Sequence, residues 1–221
     1  MILSTPRPDL VRKRPLPPAG DRRRRTVGLL GGSFNPAHQG HRFISLVAIK
    51  SLGLDEVWWL VAPQNPLKDS RSLLPLNARV ESARAIIRHP AIRVTDIERR
   101  LGTRFTADTL MALKRRFPCV RFVWLMGADN LMQLPRWNRW ERIFAAVPVA
   151  VFDRKPHTYA ALTGRAAARF ARARRAGRRI FTLSGGETPA WAFLFYRRHP
   201  ASATDIRRKT GLDKLLENRS E

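Results

Sequence analysis

The chain has 221 residues, 44% of them hydrophobic and 27% charged, which suits one ordinary domain that buries its own core without disulfides or a structural metal. Its single cysteine, Cys119, excludes an internal disulfide framework and fits a reducing compartment. Lys plus Arg is 42 and Asp plus Glu is 17, a formal net charge of +25 that attracts polyanions, whether nucleic acids or phosphorylated small molecules.

The basic residues are concentrated at the periphery. Residues 1–25 carry Arg7, Arg12, Lys13, Arg14 and Arg22 to Arg25 against Asp9 and Asp21, with five prolines from Pro6 to Pro18 and almost no apolar periodicity. They read as a disordered basic arm, with 26–221 as one domain. Met1 to Pro8 lacks the basic-then-apolar order of a signal peptide, and no apolar run approaches the roughly 18 residues of a membrane span. The expectation is a soluble cytoplasmic protein with no membrane partner.

Val27 to Leu30 is an apolar run ending in Gly31-Gly32, which predicts a buried strand turning sharply. Phe43, Ile44, Val47, Ala48 and Leu52 then recur at helical spacing, with Gly53 as a stop. Val57 to Ala62 predicts a second strand closed by Pro63, and Pro63 to Pro75 a loop. A helix is expected from Asn77 through Ile87, capped by Asn77, followed by a strand from Ile92 to Thr95. Ala107 to Phe117 predicts a helix, Phe122 to Met126 a strand, Trp140 to Ala145 a short helix and Val147 to Phe152 another strand. Residues 160–176 are alanine- and arginine-rich and helical by propensity. Ile180 to Leu183 and Ala192 to Phe195 are later strand candidates, and Asp205 to Lys209 opens a last helix.

Apolar strands separated by helices predict an α/β domain with a doubly wound, mostly parallel sheet covered on both faces. Ligands of such a fold bind beyond the carboxyl ends of the strands. The stretch Gly31-Gly32-Ser33-Phe34-Asn35-Pro36-Ala37-His38-Gln39-Gly40-His41 occupies that position. Glycines let backbone amides approach an anion, and a helix start supplies unpaired N–H groups. It is neither a Gly-x-Gly-x-x-Gly fingerprint nor a Gly-Lys-Ser/Thr phosphate loop. His38 and His41 lie within one turn; spacing alone fits a cap and a core-edge residue as well as a phosphate site. No cysteine or acidic partner follows at zinc spacing, so no protein-held metal is expected.

This stretch resembles the signature of the His-x-Gly-His nucleotidyltransferase superfamily, in the form found in bacterial nicotinate-nucleotide adenylyltransferases. The resemblance implies a Rossmann-like nucleotidyltransferase fold and adenylyl transfer from ATP to nicotinate mononucleotide, giving nicotinate adenine dinucleotide and pyrophosphate in NAD biosynthesis. It implies that His38 and His41 contact the ATP phosphates and that Gly31, Gly32, Ser33 and Phe34 border the ligand phosphates.

Further motifs carry further implied roles. Ala201-Ser202-Ala203-Thr204-Asp205-Ile206-Arg207 is similar to the family's Ile-Ser-Ser-Thr-x-Ile-Arg element, which makes Ser202, Thr204 and Arg207 ATP ligands; Ala201 and Ala203 depart from it. Asn65-Pro66-Leu67-Lys68 resembles the Asn-Pro-x-Lys loop, with Asn65 and Lys68 near the mononucleotide phosphate. Thr103 to Leu110 resembles Ser-Tyr-Thr-x-Asp-Thr-Leu, where the backbone at Thr106 helps receive the nicotinate carboxylate and Phe105 replaces a tyrosine. Gly127 is implied among the ATP-binding residues, Asp129 at the adenosine ribose hydroxyls, and Trp137 on the pyridine ring. Trp140 reads as a core anchor.

The implied catalytic set is His38, His41, Lys68 and Arg207, with magnesium carried in by ATP. The same chemistry on nicotinamide mononucleotide, with single or dual specificity, or on phosphopantetheine, is the nearest alternative. A nucleic-acid-binding protein would use the +25 charge, but no aromatic–basic strand motif occurs, which speaks against that as the primary role. Intact His38, His41 and Arg207 argue against an inactive scaffold. Monomer and homodimer both stay open.

Overall fold

The computed structural model describes residues 16–17, 21–64, 73–154, 156–176, 185 and 187–196. Among the described residues seven strands form one sheet: β1 (Arg25–Gly32), β2 (Glu56–Val61), β3 (Ile92–Thr95), β4 (Val120–Gly127), β5 (Val149–Phe152), β6 (Arg174–Arg175) and β7 (Trp191–Leu194). Their order is β3-β2-β1-β4-β5-β7-β6, and every pairing among the described residues is parallel. The chain moves outward from β1 to β3, then returns to build on the other side of β1. This doubly wound order puts a topological switch between β1 and β4, where ligand crevices form.

Period-two alternation divides each strand between two cores. Val27, Leu29, Trp58, Leu60, Phe122, Trp124, Val149 and Val151 point to one face. Leu30, Val57, Trp59, Val61, Val123, Leu125, Ala150 and Phe152 point to the other. Helices cover both. α1 (Gln39–Leu52) and α2 (Leu76–Ile86) place Ala48, Leu52, Val80 and Ala83 on the second face. The first is covered by α3 (Ile97–Leu101), α4 (Thr106–Arg116), α5 (Ala128–Gln133), α6 (Glu141–Ala146), α7 (Thr158–Thr163) and α8 (Arg165–Arg169). Trp140 is buried in that core, as expected.

Gly53 ends α1 in the left-handed region at φ 62°, and its N–H donates to the Ile49 carbonyl. Elsewhere the sequence reading needs correction. Asn77 does not cap α2. The helix begins one residue earlier, behind Pro75, whose carbonyl accepts from the Arg79 N–H at 3.1 Å, and Asn77 lies exposed in the first turn. Residues 160–176 are not one helix. Gly164 adopts extended angles (φ −73°, ψ 166°) between α7 and α8, a 3-10 turn follows at Ala171–Ala173, and the chain enters β6. α3 and α5 are additions to the expected elements. The candidates at 180–183 and 205–209 lie outside the described residues.

Leu16 packs against the core, and Arg25 bridges Asp21 and Glu56. At the amino end of the sheet, Glu56 also receives Arg93 and the Trp58 indole N–H. Burial pushes its carboxyl up, but those hydrogen bonds and the Arg93 and Arg25 charges carry it below the usual carboxylate range. No helix among the described residues is long and apolar enough to cross a membrane.

Candidate active site

β1 ends on Gly31 and Gly32, which stay in the strand opposite Leu60 and Val61, so the expected sharp turn comes only after them, at Asn35-Pro36; this glycine turn lies at the carboxyl edge of the sheet, between β2 and β4. Phe34 takes φ 48°, and its ring is buried against Trp59, with centroids 5.1 Å apart and planes 14° from parallel. That anchor fixes the turn and sends the chain back across the sheet edge into α1. His38 is the residue before the helix, and His41 sits in its first turn.

The two imidazoles face each other with centroids 3.8 Å apart. The His38 backbone N–H donates to His41 Nδ1 at 3.1 Å, and the His41 N–H donates to the His38 carbonyl at 3.0 Å. Burial, then the neighbouring His38 and the Arg154 charge, hold His41 well below the usual imidazole range. It is neutral at physiological pH. With Nδ1 accepting, its proton lies on Nε2, so the ring offers an N–H donor. The helix cap thus also fixes which ring nitrogen of His41 carries the proton.

Across the switch, β4 ends at Gly127 and α5 begins. Asp129 Oδ2 accepts from Arg154 at 3.1 Å, while Oδ1 is buried with no hydrogen-bond partner among the described residues. A Cβ on Gly127 would collide with that Oδ1. Glycine lets the carboxylate fold back over the strand end.

Beside the turn lies a cavity of about 270 Å³ bounded by Gly31 to Ser33, Phe105, Thr106 and Trp137. Its far wall comes from α3, α4 and the segment after α5. Phe105 is extended (φ −109°, ψ 140°), so Thr106 opens α4 with the helix amino end at the cavity. A flat aromatic wall, a helix amino terminus and a glycine turn together suit an anionic heterocycle carrying a phosphate.

The structure therefore brings Gly31, Gly32, Ser33, Phe105, Thr106 and Trp137 to one cavity. His38, His41, Phe34, Gly127 and Asp129 lie along the adjoining strand ends. Asn65, Lys68, Ser202, Thr204 and Arg207 lie outside the described residues.

Four residues of the site escape the sequence reading. Arg154 follows β5 at the same sheet edge, a position that could have flagged it. Arg79 is buried and gives its guanidinium to the carbonyls of Ser33, Ala62, Pro63 and Leu74 at 2.7–2.9 Å. Glu98 and Trp124 line the cavity. Nothing in the local pattern around these last three marks them.

Residues 29–209 match the family model described as cytidylyltransferase-like. A Cereibacter sphaeroides protein named probable nicotinate-nucleotide adenylyltransferase is 54% identical over 181 residues, covering 82% of this chain and 96% of that one. A Bradyrhizobium protein of the same name is 49% identical over 185 residues, covering 84% and 96%. The Plasmodium falciparum nicotinic acid mononucleotide adenylyltransferase complexed with NaAD shares the fold, with TM-score 0.60 at 16% identity and 83% of each chain covered. The chain belongs to the cytidylyltransferase-like family and, within it, to the nicotinate-nucleotide adenylyltransferases.

Proposed function

We propose that the chain transfers the adenylyl group of ATP to nicotinate mononucleotide, releasing pyrophosphate and forming nicotinate adenine dinucleotide, through a single nucleotidyltransferase unit running from residue 26. The observation that carries this reading is the neutral, Nδ1-engaged His41 beside His38 at a glycine turn that also walls an aromatic cavity.

A mononucleotide phosphate oxygen attacks the α-phosphorus of ATP. The bond from that phosphorus to the bridging oxygen breaks, and pyrophosphate leaves with the electron pair. No side-chain nucleophile is needed, because the attacking phosphate is already ionised near neutral pH. The protein's work is alignment of two mutually repelling anions and stabilisation of the charge that develops. His41 Nε2–H and His38 serve the ATP phosphates, with amides at Gly31 to Phe34. Arg154 adds positive charge and holds Asp129 for the ribose hydroxyls, next to Gly127. Thr106 and Phe105 receive the pyridine end, and Trp137 stacks on its ring. Asn65 and Lys68 are assigned to the mononucleotide phosphate, and Ser202, Thr204 and Arg207 to ATP, on the motif resemblance. Magnesium enters as part of the ATP substrate, held chiefly by phosphate and water.

The test is pyrophosphate release from magnesium ATP with nicotinate mononucleotide and, in parallel, nicotinamide mononucleotide. Release with the acid and little with the amide is the expected result. Equal release makes the enzyme dual-specific, and release with neither overturns the reading.

A further inference from the structure

The cavity beside the glycine turn has aromatic walls and two buried polar groups, one of them without a hydrogen-bond partner among the described residues. The Trp124 indole Nε1 is buried without an acceptor among the described residues, on a side chain only 2% exposed. A buried donor left unpaired costs free energy, so the site favours an acceptor atom brought in by a ligand. Glu98, from α3, is the second group. It is 8% exposed, lines the same cavity, and has no ion-pair partner among the described residues. Its Oε1 accepts the Thr109 hydroxyl at 3.3 Å, and that hydroxyl lies 2.9 Å from Thr103 Oγ1. Both threonines bracket the start of α4, where Thr106 faces the cavity.

Resting on the adenylyl-transfer reading above, we propose that Glu98 and the Trp124 indole N–H form a polar floor to the mononucleotide cavity, and that the Glu98 carboxyl sets the preference for a pyridine carboxylate over a pyridine carboxamide. A neutral carboxyl can donate to a carboxylate oxygen. An ionised one repels it and accepts the N–H of an amide instead. Burial pushes Glu98 up to about 7, with the Thr109 hydrogen bond opposing, so the two forms exchange near physiological pH.

Charged side chains on the elements packed about Glu98 make up its electrostatic surroundings. Arg104 and Arg136 share the cavity wall, Arg99 and Arg100 pair with Asp96, and Arg139 pairs with Asp108 on α4. Glu56 lies at the far, amino end of β2, tied to Arg25 and Arg93.

The experiment measures kcat/KM for nicotinate and nicotinamide mononucleotides from pH 6 to 8.5, in the wild type and in Glu98→Gln. Taking the ratio cancels titration of the phosphate common to both substrates. The wild-type acid-over-amide ratio should fall about tenfold over the range, as the carboxyl ionises, whereas Glu98→Gln should hold it within about twofold. Trp124→Phe, which keeps a smaller aromatic ring and loses the N–H, should raise KM for the acid with kcat little changed. A wild-type ratio independent of pH, or the same slope in Glu98→Gln, overturns the proposal while leaving adenylyl transfer intact. The wild-type profile alone decides it if the variant does not fold. Absence of turnover with either mononucleotide removes the adenylyl-transfer reading, and this one with it.

Discussion

His38 donates its backbone N–H to Nδ1 of His41 at 3.1 Å, so a helix cap fixes the tautomer of the imidazole proposed to serve the ATP phosphates. The cap leaves Nε2 as the proton-bearing atom, and burial keeps the ring uncharged until charge develops in front of it. A group that gains most when charge accumulates accelerates the step more than it tightens the ground state.

His41→Ala should therefore lower kcat by about 100-fold or more, the scale expected for losing one aligned donor, while mononucleotide affinity changes far less. Steady-state kinetics alongside calorimetric titration of the mononucleotide separate the two quantities. Equal losses in both would make His41 a structural residue. The pH dependence has a defined sign. His41 titrates well below the ordinary imidazole value of 6.5, so its contribution to rate persists as pH falls through 6.5 and is lost only at lower pH. In stability, the unfolded chain takes up this proton first, so the folded state loses ground as pH drops below 6.5.

Asp129 supplies the second test. Its Oδ1 is buried and unsatisfied among the described residues, and its Oδ2 is held by Arg154. A carboxylate positioned this way awaits a donor, and the adenosine ribose provides two hydroxyls. Asp129→Ala should raise KM for ATP by about 10-fold to 100-fold, the equivalent of one or two charge-assisted hydrogen bonds, with KM for nicotinate mononucleotide within about threefold of wild type. A rise in both constants would mean that the residue shapes the whole sheet edge.

The parts legible in the sequence are those governed by local pattern. Val27 to Leu30 and Val57 to Ala62 read as strands because every position is apolar, the mark of burial on two faces. Gly53 reads as a stop because it needs the left-handed region. The break at Gly164 was hidden by the alanine and arginine propensity around it. A Cβ there would approach the Ala160 carbonyl to 2.8 Å, a constraint of packing that no spacing rule registers. The histidine pair was visible as two residues but not as a tautomer, which depends on the helix beginning at Gln39. Glu98 acquires its chemistry from burial against Thr109, and α3 is too short, at five residues, to show a period. Arg79 lay furthest from sight, because its acceptors are carbonyls up to 46 residues away in the chain.

Arg79 also sets the final prediction. Arg79 is 1% exposed and has no carboxylate partner among the described residues; its charge is met by the carbonyls of Ser33, Ala62, Pro63 and Leu74. Those atoms belong to the glycine turn after β1, the exit of β2 and the entry to α2, so one side chain pins three segments of the ligand edge. Burial lowers the guanidinium from its usual range, yet an arginine stays charged at any ordinary pH. Arg79→Lys keeps the charge but cannot reach four carbonyls with a planar fork, and Arg79→Met leaves all four without this donor. Both should destabilise the fold, the methionine variant by at least about 3 kcal/mol in denaturant unfolding. The lysine variant should retain a cooperative transition while KM rises for both ATP and the mononucleotide, because Ser33 and the β2 exit lose their common tether. Unchanged KM values in a destabilised Arg79→Lys enzyme would confine the residue to folding and remove it from the alignment of the site.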